Sequence, residues 1–127
     1  MWSDVLTALA TINGLELALV FGSVGRGEAR DDSDIDVAVR YARPLGAEQK
    51  LALIRELGAT TGRPVDLVDL HTAGPIVARE ALTQGKRIFG SDTAFATQLS
   101  RTLVDYEDFA PLVERMQRER REAWIKA

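Results

Sequence analysis

The chain has 127 residues, of which 46% are hydrophobic and 28% charged, and this length and composition predict one globular domain over residues 1–127. Its net charge of −3 argues against direct binding of nucleic acid, and the absence of cysteine excludes disulfides, thiolate catalysis and cysteine-ligated zinc. No apolar run approaches the roughly 20 residues that span a bilayer, and the N-terminus lacks a secretory signal pattern, so we expect a cytoplasmic protein without membrane contact.

The first predicted elements are an amphipathic helix, a buried strand and a turn of small residues. The helix has an apolar stripe and ends at Asn13-Gly14, and the strand covers 15–21. The turn is Gly22-Ser23, and residues 24–29 are predicted to begin a short helix. The N-terminus of that helix would direct its dipole towards an anion held by Ser23.

A second strand, a helix and a third strand are predicted next. The second strand covers 34–40 and the third covers 65–70. Between them, the helix over 47–60 is expected to direct three apolar side chains inward, namely Leu51, Ile54 and Leu57.

The remaining pattern is mostly helical. A helix over 76–83 and a short strand over 87–89 precede a helical tail, which Pro111 is expected to kink or restart. The alternation of strands and helices predicts an α/β (α+β) fold: a small mixed sheet with helices packed on one face and a long C-terminal helical tail. We place the core at about 1–90 and the tail at about 91–127.

Three carboxylates are the strongest chemical signal in the chain. Asp34 and Asp36 stand two residues apart on a strand, so they share one face, while Ile35, Val37 and Val39 point into a core. Neighbouring carboxylates repel each other, and a divalent cation would offset that repulsion. If the third strand pairs beside the second, Asp66 joins the same face, and the cluster could hold two Mg²⁺ ions.

The Gly22-Ser23 turn beside these carboxylates provides the complementary half of a nucleotide site. Its backbone N–H groups and its hydroxyl are suited to bind phosphates that a bound cation would bridge. Arg26 is either a further triphosphate contact or a solvated side chain. Asp69 lies on the other face of its strand and is expected to be structural, and His71 is expected to cap a turn.

These residues resemble a known family. Gly22-Ser23, followed after ten residues by Asp34-Ile35-Asp36, is similar to the signature of the DNA polymerase beta-like nucleotidyltransferases, with Asp66 as the third carboxylate. Arg26-Gly27, and Ser33 before Asp34, resemble the tighter pattern of minimal nucleotidyltransferases, the antitoxin halves of HEPN/MNT toxin–antitoxin pairs.

The resemblance implies a function and a partner. It implies Mg²⁺-dependent transfer of AMP from ATP to a tyrosine of a HEPN ribonuclease toxin, with Gly22, Ser23, Arg26 and Ser33 around the nucleotide. Two other interpretations stay open: an antitoxin that neutralises its partner by occlusion without catalysis, or a transferase acting on a small hydroxylated molecule such as an aminoglycoside.

The end of the tail combines apolar and basic side chains. An arginine-rich sequence is interleaved there with apolar residues, namely Leu112, Val113, Met116, Trp124 and Ile125. This segment is either a solvated helix with i,i+4 ion pairs or a docking surface for a partner.

Overall fold

The computed structural model describes residues 2–22 and 33–126 of the chain. Its elements follow in the order α1 (Trp2–Leu9), β1 (Leu15–Phe21), β2 (Ile35–Tyr41), α2 (Ala47–Thr61), β3 (Val65–Asp69), α3 (Pro75–Gln84), β4 (Lys86–Phe89) and α4 (Asp92–Lys126). The predicted α+β class is confirmed, and most predicted bounds differ from these by one or two residues.

Two ends of the predicted helices differ more. Helix α1 ends at Leu9, before the predicted stop at Asn13-Gly14. Helix α4 continues through Pro111, so it does not restart there. The predicted short helix over 24–29 lies outside the described residues. None of the helices in the described part of the chain is long and apolar enough to cross a membrane.

The four strands form one mixed sheet in the order β3-β2-β1-β4. Strand β1 pairs antiparallel with both β2 and β4. Strand β2 pairs parallel with β3. The predicted grouping of Asp66 with Asp34 and Asp36 required these two strands to be neighbours. The N-terminal ends of β2 and β3 therefore lie beside the C-terminal end of β1.

Hydrophobic clusters cover both faces of this sheet. On one face, α1 and α2 bury Val5, Leu9, Leu53 and Leu57 against a sheet surface formed by Ala18, Val20, Ile35, Val37, Val39 and Leu67. On the other face, α3 buries Ala78, Ala81 and Leu82 against Leu17, Leu19, Phe21 and Ala38, with Phe95 and Leu99 of α4 packed beside them.

The prediction that the helices pack on one face is therefore wrong. The physical reason lies in β1 and β2, whose central residues are buried on both sides. A strand that is apolar on both faces needs a layer on each, because either face left in water would expose apolar surface.

The inward face of α2 also differs from the prediction. Leu51 is 48% exposed, whereas Leu53 and Leu57 are each 1% exposed, and Ile54 is partly buried beside them. Residues 53 and 57 are one helical turn apart and so share a face, which position 51 does not.

Asp69 has the structural role that the sequence predicted. Its side chain is 4% exposed, and its two carboxylate oxygens accept hydrogen bonds from the backbone N–H groups of Leu45 (2.8 Å) and His71 (2.9 Å). The carboxylate therefore joins the loop before α2 to the turn after β3.

We expect Asp69→Asn to lower the free energy of unfolding by about 2 kcal/mol, because an amide has one acceptor oxygen where the carboxylate has two, and its NH₂ group would face a backbone donor. Urea denaturation measures this loss. Asp66→Asn, an exposed site on the same strand, is the matched control and should change stability by less than about 0.5 kcal/mol. An equal loss in both variants would contradict a structural role specific to Asp69.

Candidate nucleotidyl-transfer site

The predicted carboxylates meet where β2 and β3 begin. Asp36 is directly opposite Asp66 in the parallel register of the two strands. It shares its face of β2 with Ala38, which is buried beneath α3. Asp34 immediately precedes β2 and is exposed, as is Asp66, whereas Asp36 is half-buried. The structure thus places all three on the α3 side of the sheet.

Gly22 lies directly against the Asp36 side chain. It follows β1, whose last residue, Phe21, pairs with Asp36. Its φ of +69° lies in the left-handed region that favours glycine. A Cβ at this position would overlap Oδ2 of Asp36. Glycine therefore suits both the backbone conformation and the space that the carboxylate occupies.

The electrostatics of the site are dominated by negative charge around Asp36. Burial raises the pKa of the Asp36 carboxyl above its ordinary value, and the negative charges of Asp66, Asp34 and Glu80 raise it further. Both effects oppose the ionised form. A bound cation would reverse this balance, since it favours the charged carboxylate.

Glu80 is a member of this cluster that the sequence interpretation missed. It lies on α3 and is exposed, between Ala78 and Ala81, both of which pack on the sheet. Its negative charge acts on Asp36. The sequence signal, a carboxylate beside buried alanines, becomes informative only once α3 is known to cover the face that carries Asp36.

The carboxylates converge without forming a complete metal site on their own. Within 2–22 and 33–126, no group of three or more histidine, cysteine, aspartate or glutamate side chains is arranged to hold a metal ion. Mg²⁺ usually takes one or two protein carboxylates and completes its shell with water and substrate phosphates. Asp36, with Asp66 directly opposite it, supplies the carboxylate oxygens that this mode of binding needs.

The predicted phosphate-binding residues are only partly described. Gly22 and Ser33 belong to the described part of the chain, and Ser33 lies directly before Asp34. Ser23 and Arg26 lie outside the described residues. Their predicted roles at the triphosphate stay predictions.

His71 lies at the opposite end of β3 from Asp66. Its Nε2 atom is 2.5 Å from the backbone oxygen of Tyr41, at the end of β2, and its backbone N–H donates to Asp69. The imidazole therefore ties together the C-terminal ends of two parallel strands, consistent with the predicted role in a turn.

Comparison with known proteins identifies the family. The model of the family described as polymerase beta, nucleotidyltransferase matches residues 5–94, which include the sheet, Gly22 and all four carboxylates. The chain belongs to this family. The resemblance to the polymerase beta-like nucleotidyltransferases is therefore confirmed.

One similar protein is an enzyme that modifies other proteins. The protein adenylyltransferase MntA of Shewanella oneidensis is 36% identical over 87 residues, which are 66% of this chain and 63% of that relative. The match thus spans less than two thirds of that relative's length.

Two similar solved structures are toxin–antitoxin assemblies. A chain from the crystal structure of a toxin–antitoxin with AMP-PNP has a TM-score of 0.88 at 27% identity, covering 93% of this chain and 96% of that one. A chain from the tri-AMPylated Shewanella oneidensis HEPN toxin in complex with MNT antitoxin has a TM-score of 0.81 at 25% identity, covering 93% of each.

Proposed function

We propose that this nucleotidyltransferase is an antitoxin that transfers AMP from ATP to a tyrosine hydroxyl of a HEPN-type ribonuclease partner, releasing pyrophosphate and silencing the partner. The observation that carries the proposal is the register of Asp36 opposite Asp66 beside Gly22, in a chain of the nucleotidyltransferase family. Since ATP is the proposed donor, we place the reaction in the cytoplasm.

Each carboxylate has a proposed task in the transfer. Asp34 and Asp36 would bind Mg²⁺ together with the triphosphate, and Asp66 would bind a second ion. Bound Mg²⁺ would neutralise the charge that develops on the phosphate oxygens. Gly22, Ser23, Arg26 and Ser33 would hold the triphosphate in line with the acceptor, which is how most of the rate enhancement in phosphoryl and nucleotidyl transfer arises.

The proposed reaction conserves atoms and charge. The tyrosine oxygen forms a bond to the α-phosphorus of ATP while the bond from that phosphorus to the oxygen bridging to the β-phosphate breaks. Pyrophosphate leaves with that oxygen. The hydroxyl proton passes to the carboxylate cluster, where Asp66 is the proposed acceptor because its side chain is exposed.

The protein acceptor is favoured over a small molecule by the relatives. The similar MntA is named a protein adenylyltransferase, and one similar chain comes from a complex with a tri-AMPylated HEPN toxin. A binding module that acts by occlusion would not need Asp36 held among three other carboxylates, an arrangement that costs stability in the absence of a cation.

Labelled ATP tests the proposal directly. We expect α-labelled ATP to mark a purified HEPN-type toxin incubated with this chain, and mass spectrometry to find additions in steps of one AMP on tyrosine. γ-Labelled ATP should leave the protein unmarked, since that phosphate departs in pyrophosphate, and removal of Mg²⁺ with EDTA should stop the reaction. Label from γ-labelled ATP would indicate a kinase instead, and absence of any AMP addition would refute the transfer.

A further inference from the structure

The second half of α4 extends beyond the rest of the fold. The first half packs on α3, and the last groove between the two helices is lined by Ile76 of α3 and by Tyr106, Val113, Glu114 and Gln117 of α4. From Glu114 to Ile125 every side chain is exposed. At 1.5 Å per residue, this overhang is about 18 Å long.

A stripe that is apolar except at Arg120 continues along the overhang on the face that α4 uses for packing. Phe109 and Val113, both partly buried, are followed at helical spacings of three and four by Met116, Arg120 and Trp124. Met116 is 53% exposed, Trp124 is 83% exposed and Ile125 is 78% exposed. Arg120, Arg121, Trp124 and Ile125 line an apolar hollow at the end of the helix.

The overhang has little to stabilise it within this chain. Most helical stability in proteins comes from tertiary packing of an apolar face, and the side chains of this segment are all exposed. In the part of the chain that the structure describes, the segment has one ion pair, between Arg115 and Glu119 at 4.0 Å, and an exposed pair of this kind contributes roughly 0.3–0.5 kcal/mol. Exposed Trp, Met and Arg side chains grouped on one surface are typical of the centres of protein interfaces.

We infer that the overhang, residues 114–125 of α4, is the docking helix for the HEPN-type partner, with Met116 and Trp124 entering an apolar groove on that partner and Arg120 and Arg121 meeting acidic side chains at its rim. The identity of the partner rests on the proposed function. The inference deepens it by naming the surface that delivers the acceptor protein to the carboxylates.

Similar solved structures favour this occupant over a second copy of the chain. Two similar chains, each matching 93% of this chain, come from a toxin–antitoxin structure with AMP-PNP and from a complex of a HEPN toxin with an MNT antitoxin. A protein of that class is therefore the candidate occupant for the exposed apolar side chains of the overhang.

The test measures binding of a purified HEPN-type toxin to this chain by calorimetry. For the double variant Met116→Ala/Trp124→Ala we expect Kd to rise by about 30-fold or more, since buried tryptophans are the commonest interface hot spots. Alanine keeps the helix propensity high. In the transfer assay, the apparent KM for the partner should rise while kcat is retained.

Val104→Ala is the matched control. Val104 lies on the same helix, is 59% exposed and occupies the face opposite to the stripe, so its substitution should change Kd by less than about twofold. The charge-reversed variant Arg120→Glu/Arg121→Glu should weaken binding most at low salt, where rim charges contribute most.

The outcomes separate this inference from the proposed function. If the wild-type chain neither binds nor modifies the partner, both fail together. If the wild type modifies it and the double variant binds it as tightly as the wild type, only the docking surface is refuted. If sedimentation shows that the wild type dimerises, the double variant does not, and partner affinity is unchanged, the overhang is a self-association surface and the inference is overturned.

Discussion

Asp36→Asn is expected to reduce AMP transfer by about 10³-fold or more while the fold stays intact. Asp36 is the half-buried member of a cluster of four carboxylates, and its charge is the one most needed to hold a cation against the triphosphate. Loss of a metal ligand removes several kcal/mol of transition-state stabilisation, and about 4 kcal/mol corresponds to that factor in rate. The measurement is the rate of AMP addition to the partner, followed by mass spectrometry.

The stability of the same variant gives an independent check. Burial and three neighbouring negative charges oppose the ionised Asp36 side chain, so a neutral amide of nearly the same shape relieves repulsion. Without Mg²⁺, the melting temperature of Asp36→Asn should equal or exceed that of the wild type. A marked loss of stability would show that Asp36 holds the fold together rather than serving the site.

Asp4→Asn is the control for a general charge effect. Asp4 is exposed on α1, the helix that covers the opposite face of the sheet, so this variant should transfer AMP at the wild-type rate. If Asp36→Asn silences the partner as fully as the wild type without any mass shift, neutralisation occurs by occlusion and the transferase proposal is wrong.

The sequence predicted the carboxylates on β2 and β3 well because local rules determine their placement. Alternation along a strand puts Asp34 and Asp36 on one face and Ile35 on the other. Pairing of β2 with β3 was a single topological assumption, and the parallel register confirms it by setting Asp36 opposite Asp66.

The parts that the sequence did not predict depend on tertiary packing. Helix α3 covers the Asp36 face of the sheet, and only that placement brings Glu80 to the site. The continuous apolar run of β1 was a signal for layers on both faces, but it does not say which helix covers which face. Leu51 was misplaced for a related reason: α2 has apolar residues on more than one side, and contact with the sheet selects Leu53 and Leu57.

The last prediction concerns Gly22, where a single methyl group should disable the site. Gly22→Ala would place Cβ where Oδ2 of Asp36 lies, so the carboxylate must move. A displacement of about 1 Å in a catalytic group costs roughly 10²-fold in rate. The φ of +69° adds about 1–2 kcal/mol of backbone strain for any residue with a Cβ. We expect transfer to fall by about 10²-fold, measured at a temperature where the variant is fully folded.

Gly62→Ala separates the two effects, because the chain offers the same backbone conformation at a second place. Gly62 follows α2 and also has a φ of +69°, but a Cβ there would meet nothing within 4 Å. Both variants should therefore lose a similar free energy of unfolding from the backbone, and only Gly22→Ala should lose transfer activity. If both lose activity in proportion to their stability, then strain alone explains the result. If only Gly22→Ala loses transfer activity, the contact between its Cβ and Asp36 is the cause. Gly22 then makes room for the carboxylate as well as turning the chain.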